Sequence, residues 1–252
     1  MPQAKSSFKI ALLIALIALN ALIIAMLSGW RLPHLAATAE PKAPQASQNV
    51  YLPAIAREGQ GLFLSSGPVW YLEAGESPTL HLLGEVSNRT STALSGIVLR
   101  AELETGLGKA PLTFTGTLPL TVLPPNEKTC FNLYTTAPAN FSAARVRVLS
   151  YATEGTEPPA LQAQAVTAGF DHSQNWYHLS GSVANPGVLL LNNLKVVATL
   201  YDPAGKVLGC QATYAAFSTE SPSQPASFNL FFMDRDYSQV SAYRLQSSAE
   251  VH

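Results

Sequence analysis

His81 and His178 are the first residues of this chain to question for chemistry, because each stands just inside a stretch that closes on an asparagine, Asn88 or Asn185. A zinc site needs three or four converging ligands, and neither histidine is followed by a second His, Cys or acid at metal spacing. Both are therefore expected to be strand histidines, facing solvent or a core partner that satisfies them. His34 lies in a proline-rich stretch, His172 in a turn and His252 at the end of the chain. Acids are sparse. Glu102 and Glu104 share one face of a predicted strand, and Asp234-Arg235-Asp236 reads as a solvated loop, since two acids split by an arginine are a poor start toward the six to eight oxygens of a calcium site. No nucleophile elbow, phosphate-binding glycine loop or dinucleotide fingerprint is present. The chain is read as non-catalytic, with no cofactor and no metal. Aromatic pairs give the one ligand-binding alternative: Trp70, Tyr71, Trp176 and Tyr177 can present rings to a sugar or peptide. These pairs lie 106 residues apart. Alternation along a strand turns one ring of each pair inward, so packing with an exposed tyrosine is the expectation.

The elements that must position these residues are duplicated. Residues 81–150 align without a gap on residues 178–247 at an offset of 97, with sixteen identities in seventy positions. The matches include Gly84, Val86 and Asn88 with Gly181, Val183 and Asn185, and Phe131-Asn132-Leu133 with Phe228-Asn229-Leu230. The aromatic pairs do not follow this offset, so they are not a duplicated platform. Cys130 and Cys210 match Ser227 and Thr113. They are not a duplicated bridge within a module, and a bond between them would have to join the two copies, so both are expected to be buried thiols.

Within each copy apolar residues alternate, as in strands with one face on a core. Ile97, Leu99, Ala101 and Leu103 define one such face, and Leu194, Val196, Ala198 and Leu200 its counterpart. Leu179 and Val183 share a face with Gly181 between them, which leaves room for a close backbone or ring. Asp202-Pro203-Ala204-Gly205 is a turn signal, and Asn88 and Asn185 are expected to serve turns rather than ligands. Short strands punctuated by Gly, Pro, Asn and Ser, with no amphipathic helix, predict an antiparallel sandwich in each copy. Asn88-Arg89-Thr90 and Asn140-Phe141-Ser142 are sequons that matter only in a host that glycosylates exported protein.

Only 12% of the residues are charged, about half the usual share, and fifteen basic residues face sixteen acidic ones. No basic footprint for nucleic acid exists. Residues 10–27 are apolar except for Asn20, with Lys5 and Lys9 before them and Trp30 and Arg31 after. At about 1.5 Å per residue the run spans roughly 27 Å, the length of a membrane helix. A cleaved signal peptide competes with this reading, but the small-residue site at Ala37-Thr38-Ala39 lies twelve residues past Leu27, which favours an uncleaved anchor. The positive-inside bias puts the amino terminus in the cytoplasm and the rest outside. The expected organisation is a cytoplasmic segment 1–9, a transmembrane helix 10–30, an Ala/Pro-rich tether 31–65, a β-sandwich module 66–151, a linker 152–162 and a second module 163–250.

The run Gly181-Ser182-Val183-Ala184-Asn185, a loop, residues 194–200 and then Tyr201-Asp202-Pro203-Ala204-Gly205-Lys206-Val207 resembles the FxLYD domain. Leu200, Tyr201 and Asp202 match its naming motif, and Ala198 stands where that family has Phe. In the first copy, where Ala101, Glu102, Leu103, Glu104 and Thr105 occupy the same positions, only the leucine is kept. The resemblance implies a small immunoglobulin-like module of exported or membrane-bound prokaryotic proteins, without catalysis and without functional residues to carry over. Fold class is thus expected to be all-β, two tandem immunoglobulin-like antiparallel sandwiches after an N-terminal transmembrane helix. The expected role is binding or supporting an envelope partner, with strand addition at a sheet edge as one mode.

Overall fold

A computed structural model describes residues 61–106, 110–153, 161–185, 191–217 and 224–251, and every regular element among them is a strand. The expected cytoplasmic segment, the helix at 10–30, the Ala39 site and nearly all of the tether lie outside the described residues. Among the described residues no helix is long and apolar enough to cross a membrane. The first strand opens at Leu62, inside the last four positions counted into the tether.

Four antiparallel sheets form. In the first half, β1 (Leu62–Glu73), β2 (Thr79–Asn88) and β6 (Lys128–Thr136) pair in the order β1-β2-β6. Opposite them, β3 (Leu94–Glu104) lies between β4 (Leu112–Thr117) and β7 (Ala143–Thr153), with the short β5 (Val122–Leu123) at one end. The second half has β8 (Gln162–Asp171), β9 (Trp176–Ala184), β12 (Ala216–Phe217) and β13 (Ala226–Phe232) in the order β12-β13-β9-β8. Facing that sheet, β10 (Leu191–Tyr201) lies between β11 (Val207–Tyr214) and β14 (Ala242–Val251).

Alternation accounts for the two cores. In β13 the side chains of Ala226, Phe228, Leu230 and Phe232 are buried and the residues between them exposed. They meet Leu194, Val196, Ala198 and Leu200, as expected from the sequence, in one cluster. Ile97, Leu99, Ala101 and Leu103 pack with Leu80, Leu82, Phe131 and Leu133 in the other. The Asp202 turn closes as its residues dictate: Gly205 takes φ 75°, and the Asp202 carboxylate accepts from the backbone N–H of Ala204 and of Lys206, each at 2.8 Å.

The repeat is visible in the pairing register. Gly84 lies opposite Phe131 and Gly181 opposite Phe228; Val98 faces Thr117 and Lys195 faces Tyr214, all at the offset of 97. The outer strands depart from it. Tyr71 lies opposite His81, but Gly169 lies opposite His178, an offset of 98. In the last strand Ala101 faces Val146 and Ala198 faces Leu245, an offset of 99. The sequence matches Arg147 with Arg244 and Ser150 with Ser247 are therefore not structural equivalents. Two extra residues between β13 and β14 are absorbed in a surface connection, where insertions disturb no ladder.

The middle strands break the one-face rule. From Leu80 to Val86 every residue of β2 is buried, and so is every residue of β10 from Val196 to Leu200. A strand in a half-wetted sheet buries alternate residues, so each of these sheets must be covered on both faces. They cover each other: β11 packs on β2 and β6, and β10 on β6. Val197, Val207 and Cys210 from the second half accordingly join the apolar cluster of the first. The sheets stack in four layers, β4-β3-β7, β1-β2-β6, β11-β10-β14 and β12-β13-β9-β8. Cys130 and Cys210 are not free thiols. They form a disulfide between the two inner sheets, with Cα atoms 5.8 Å apart, and among the described residues no cysteine is left over. The expectation of thiols failed because a bond had to join the two copies at a specific Cα separation, and stacking of the inner sheets brings β6 and β11 to that separation.

Glycine tests the packing. A Cβ at Gly84 would come within 2.5 Å of the Phe131 ring, whereas one at Gly169 would meet nothing within 4 Å. Gly84→Ala is expected to cost about 1–3 kcal/mol in urea unfolding by overpacking, and Gly169→Ala to change stability by less than about 0.5 kcal/mol.

Candidate functional site

The junction of the inner sheets holds a group of polar contacts that join the two halves. Glu85 is buried on β2 and accepts hydrogen bonds from the Tyr201 hydroxyl at 2.6 Å and from Lys128 Nζ at 2.7 Å. Lys128 also stands 5.3 Å from the Tyr201 ring centre. A buried carboxylate is tolerated only when it is paired in this way. Arg244 reaches across to Glu127, and the Ser248 hydroxyl accepts from the Thr121 backbone N–H at 3.2 Å.

At the rim of this junction lies a cleft of about 480 Å³. Glu73, Thr79, His81, Asn132 and Tyr134 form its wall from the first half. Met233 and Asp234, in the bend after β13, and Gln211 on β11 close it from the second. His81 is fixed on three sides. It stacks on Tyr71 with ring centres 4.6 Å apart, its Nε2 lies 3.1 Å from the Glu73 carboxylate, and its Nδ1 lies 3.0 Å from Asn132 Oδ1. Tyr71 donates its hydroxyl to Asp234, and Tyr237 donates to the other oxygen of Asp234 at 2.6 Å. The Asp234-Arg235-Asp236 segment is thus no freely solvated loop: Asp234 is tied to two tyrosines, and Arg235 stands over the Tyr71 ring at 4.9 Å. Burial raises the pKa of Tyr71, Tyr201 and Tyr237, and the adjoining carboxylates, Asp234 for Tyr71 and Tyr237 and Glu85 for Tyr201, raise each further.

The four aromatics singled out from the sequence do not converge. Tyr71 and Tyr177 are the buried members, 5% and 8% exposed. The tryptophans are half-buried, the reverse of the expected arrangement. Trp70 packs edge-on against Phe141 at 5.0 Å, and Trp176 lies against Phe231 at 5.2 Å on the opposite side of the stack. A different platform is duplicated. His81, Asn132 and Tyr134 recur as His178, Asn229 and Phe231, with His178 3.4 Å from Asn229 and stacked on Phe231 at 4.5 Å. Phe131-Asn132-Leu133 carried this signal, since its middle residue points to the face opposite the two core side chains.

Asn88 serves the turn, as expected. It is buried, its amide donates to the carbonyls of Thr92, Leu123 and Pro124, and its oxygen accepts from Thr90. An amide so engaged is no glycosylation acceptor, whereas Asn140 is exposed. Among the described residues no three His, Cys, Asp or Glu side chains are grouped to hold a metal ion. The cleft contains acceptors, an aromatic ring and a thioether, and its arrangement suits holding a ligand. No protein-family model matches the chain, and no curated protein matches it.

The three tyrosines set an alkaline limit. Their folded pKa values lie above the ordinary value of 10.0, so above that pH the folded chain holds more protons than the unfolded one. Their contribution is fully present below pH 10 and declines as pH rises beyond it. Urea unfolding followed across this range should show that decline. Tyr201→Phe should make it less steep while Tyr71 and Tyr237 still contribute, and at neutral pH should cost about 1–2 kcal/mol by leaving Glu85 one donor short.

Proposed function

We propose that this chain is a membrane-anchored, extracytoplasmic and non-catalytic binding or supporting module, built from two immunoglobulin-like sandwiches of the FxLYD kind after an amino-terminal helix. The Cys130–Cys210 disulfide carries this reading. Disulfides form and persist in oxidising compartments and are rare in the cytosol. The apolar run at 10–27 with lysines before it supports the same placement, with the sandwiches outside. A stacked pair of sandwiches presents several sheet edges, and among the described residues β7 and β14 are long strands paired on one side, as strand addition by an extended partner requires.

Crosslinking the full-length protein in its native membrane, followed by mass spectrometry, tests the supporting role. A recurrent envelope protein joined to residues of one sheet edge is the expected result; self-links alone at saturating crosslinker would remove it. Protease added to intact spheroplasts should cleave the chain beyond residue 31, and full protection until lysis would overturn the placement.

A further inference from the structure

We propose that the cleft at the junction rim receives an organic ammonium group. This rests on the reading of the chain as a binding module and names the chemistry its cleft selects. Two carboxylates, Glu73 and Asp234, line the cleft, and neither lysine nor arginine does. The hydroxyls that bond Asp234 are neutral donors. They hold its charge in place without cancelling it; Arg235 over the Tyr71 ring offsets one of the two carboxylate charges and leaves the other in excess. Beside the acids stand two side chains with no evident packing duty: Tyr134 is 68% exposed and Met233 60% exposed. A ring face next to carboxylates is the arrangement that attracts an ammonium. An anion would be repelled from the same place.

The second copy shows what the platform does without a ligand to serve. Asp171 stands opposite Trp176 as Glu73 stands opposite Thr79. It is spent on its own turn, accepting from the Ser173 and Gln174 backbone N–H groups. Phe231 lies flat against His178. In the first copy Glu73 meets His81 through one carboxylate oxygen and stays half-exposed, the Tyr134 ring is exposed, and the second half supplies a further carboxylate and a thioether across the gap.

Met233 is the reporter. The chain has three methionines, Met1, Met26 and Met233, so methyl-labelled methionine in the full-length protein in detergent micelles gives a signal from the cleft. The probes are acetyl-Gly-Lys-Gly-amide, the same peptide with norleucine for lysine, and n-butylammonium. A saturable shift of the Met233 methyl with the lysine peptide, absent with norleucine, is the expected result. Glu73→Gln, at a half-buried position, and Tyr134→Ala, at an exposed one, should each weaken it about tenfold. Tighter binding of the peptide than of butylammonium would make a lysine side chain of a partner the source, and equal affinity a free amine. No shift at millimolar probe, an equal shift with norleucine, or indifference to both substitutions would overturn the proposal. A chain that binds the probe yet lies inside the cell would instead overturn the placement and leave this site standing.

Discussion

Everything in this structure depends on two sheet faces covering each other. β2 and β10 carry apolar side chains on both faces, and neither strand is stable in a sandwich wetted on one side. Their sheets meet through Leu83, Val197 and the Cys130–Cys210 bond. The bond closes a separation of 80 residues, which in a chain-entropy account stabilises the fold by about 4 kcal/mol. Around it, Glu85 with Tyr201 and Lys128, and Asp234 with Tyr71 and Tyr237, fix the lateral register. An apolar contact alone would allow the sheets to slide; buried acids with assigned donors do not.

The repeat explains why the stack stops at four layers. On the covered face of the first half stand Leu83, Glu85 and Cys130, and their counterparts on the open face of the second half are Ser180, Ser182 and Ser227. At the other end, Val197, Thr199 and Cys210 of the covered face correspond to Arg100, Glu102 and Thr113 on the open one. There Arg147 pairs with Glu102 at 2.8 Å and Arg145 with Glu104 at 3.3 Å. Each open face has become polar where its twin is buried, as the terminal units of a stacked array require. The aromatic group of Trp176, His178 and Phe231 is a part of an open face that keeps apolar character.

The sequence made the strands legible because alternation is a local signal: the inward faces of β3 and β10, the Asp202 turn and the space at Gly181 follow from neighbours in the chain. Stacking did not. It depends on the outward residues of β2 and β10, which read as ordinary alternation until both faces are seen to be buried. The disulfide was missed for the same reason, and so was the cleft, whose walls come from β1, β2, β6, β11 and the bend after β13. Glu85 offered a clue that went unread: a lone acid in an apolar strand, where its counterpart is serine, asks for a buried partner. His81 was legible as a satisfied histidine, though not its partners Glu73 and Asn132.

The state of Cys130 and Cys210 in intact cells tests the account most directly, because stacking and compartment both act through it. Cells are quenched in acid, free thiols are blocked with an alkylating reagent, and the digest is mapped without reduction. The account requires a single linked peptide pair containing Cys130 and Cys210, with no alkylated form of either. Two alkylated cysteines in freshly quenched cells would contradict both the bond that pins the inner sheets and the oxidising surroundings inferred from it.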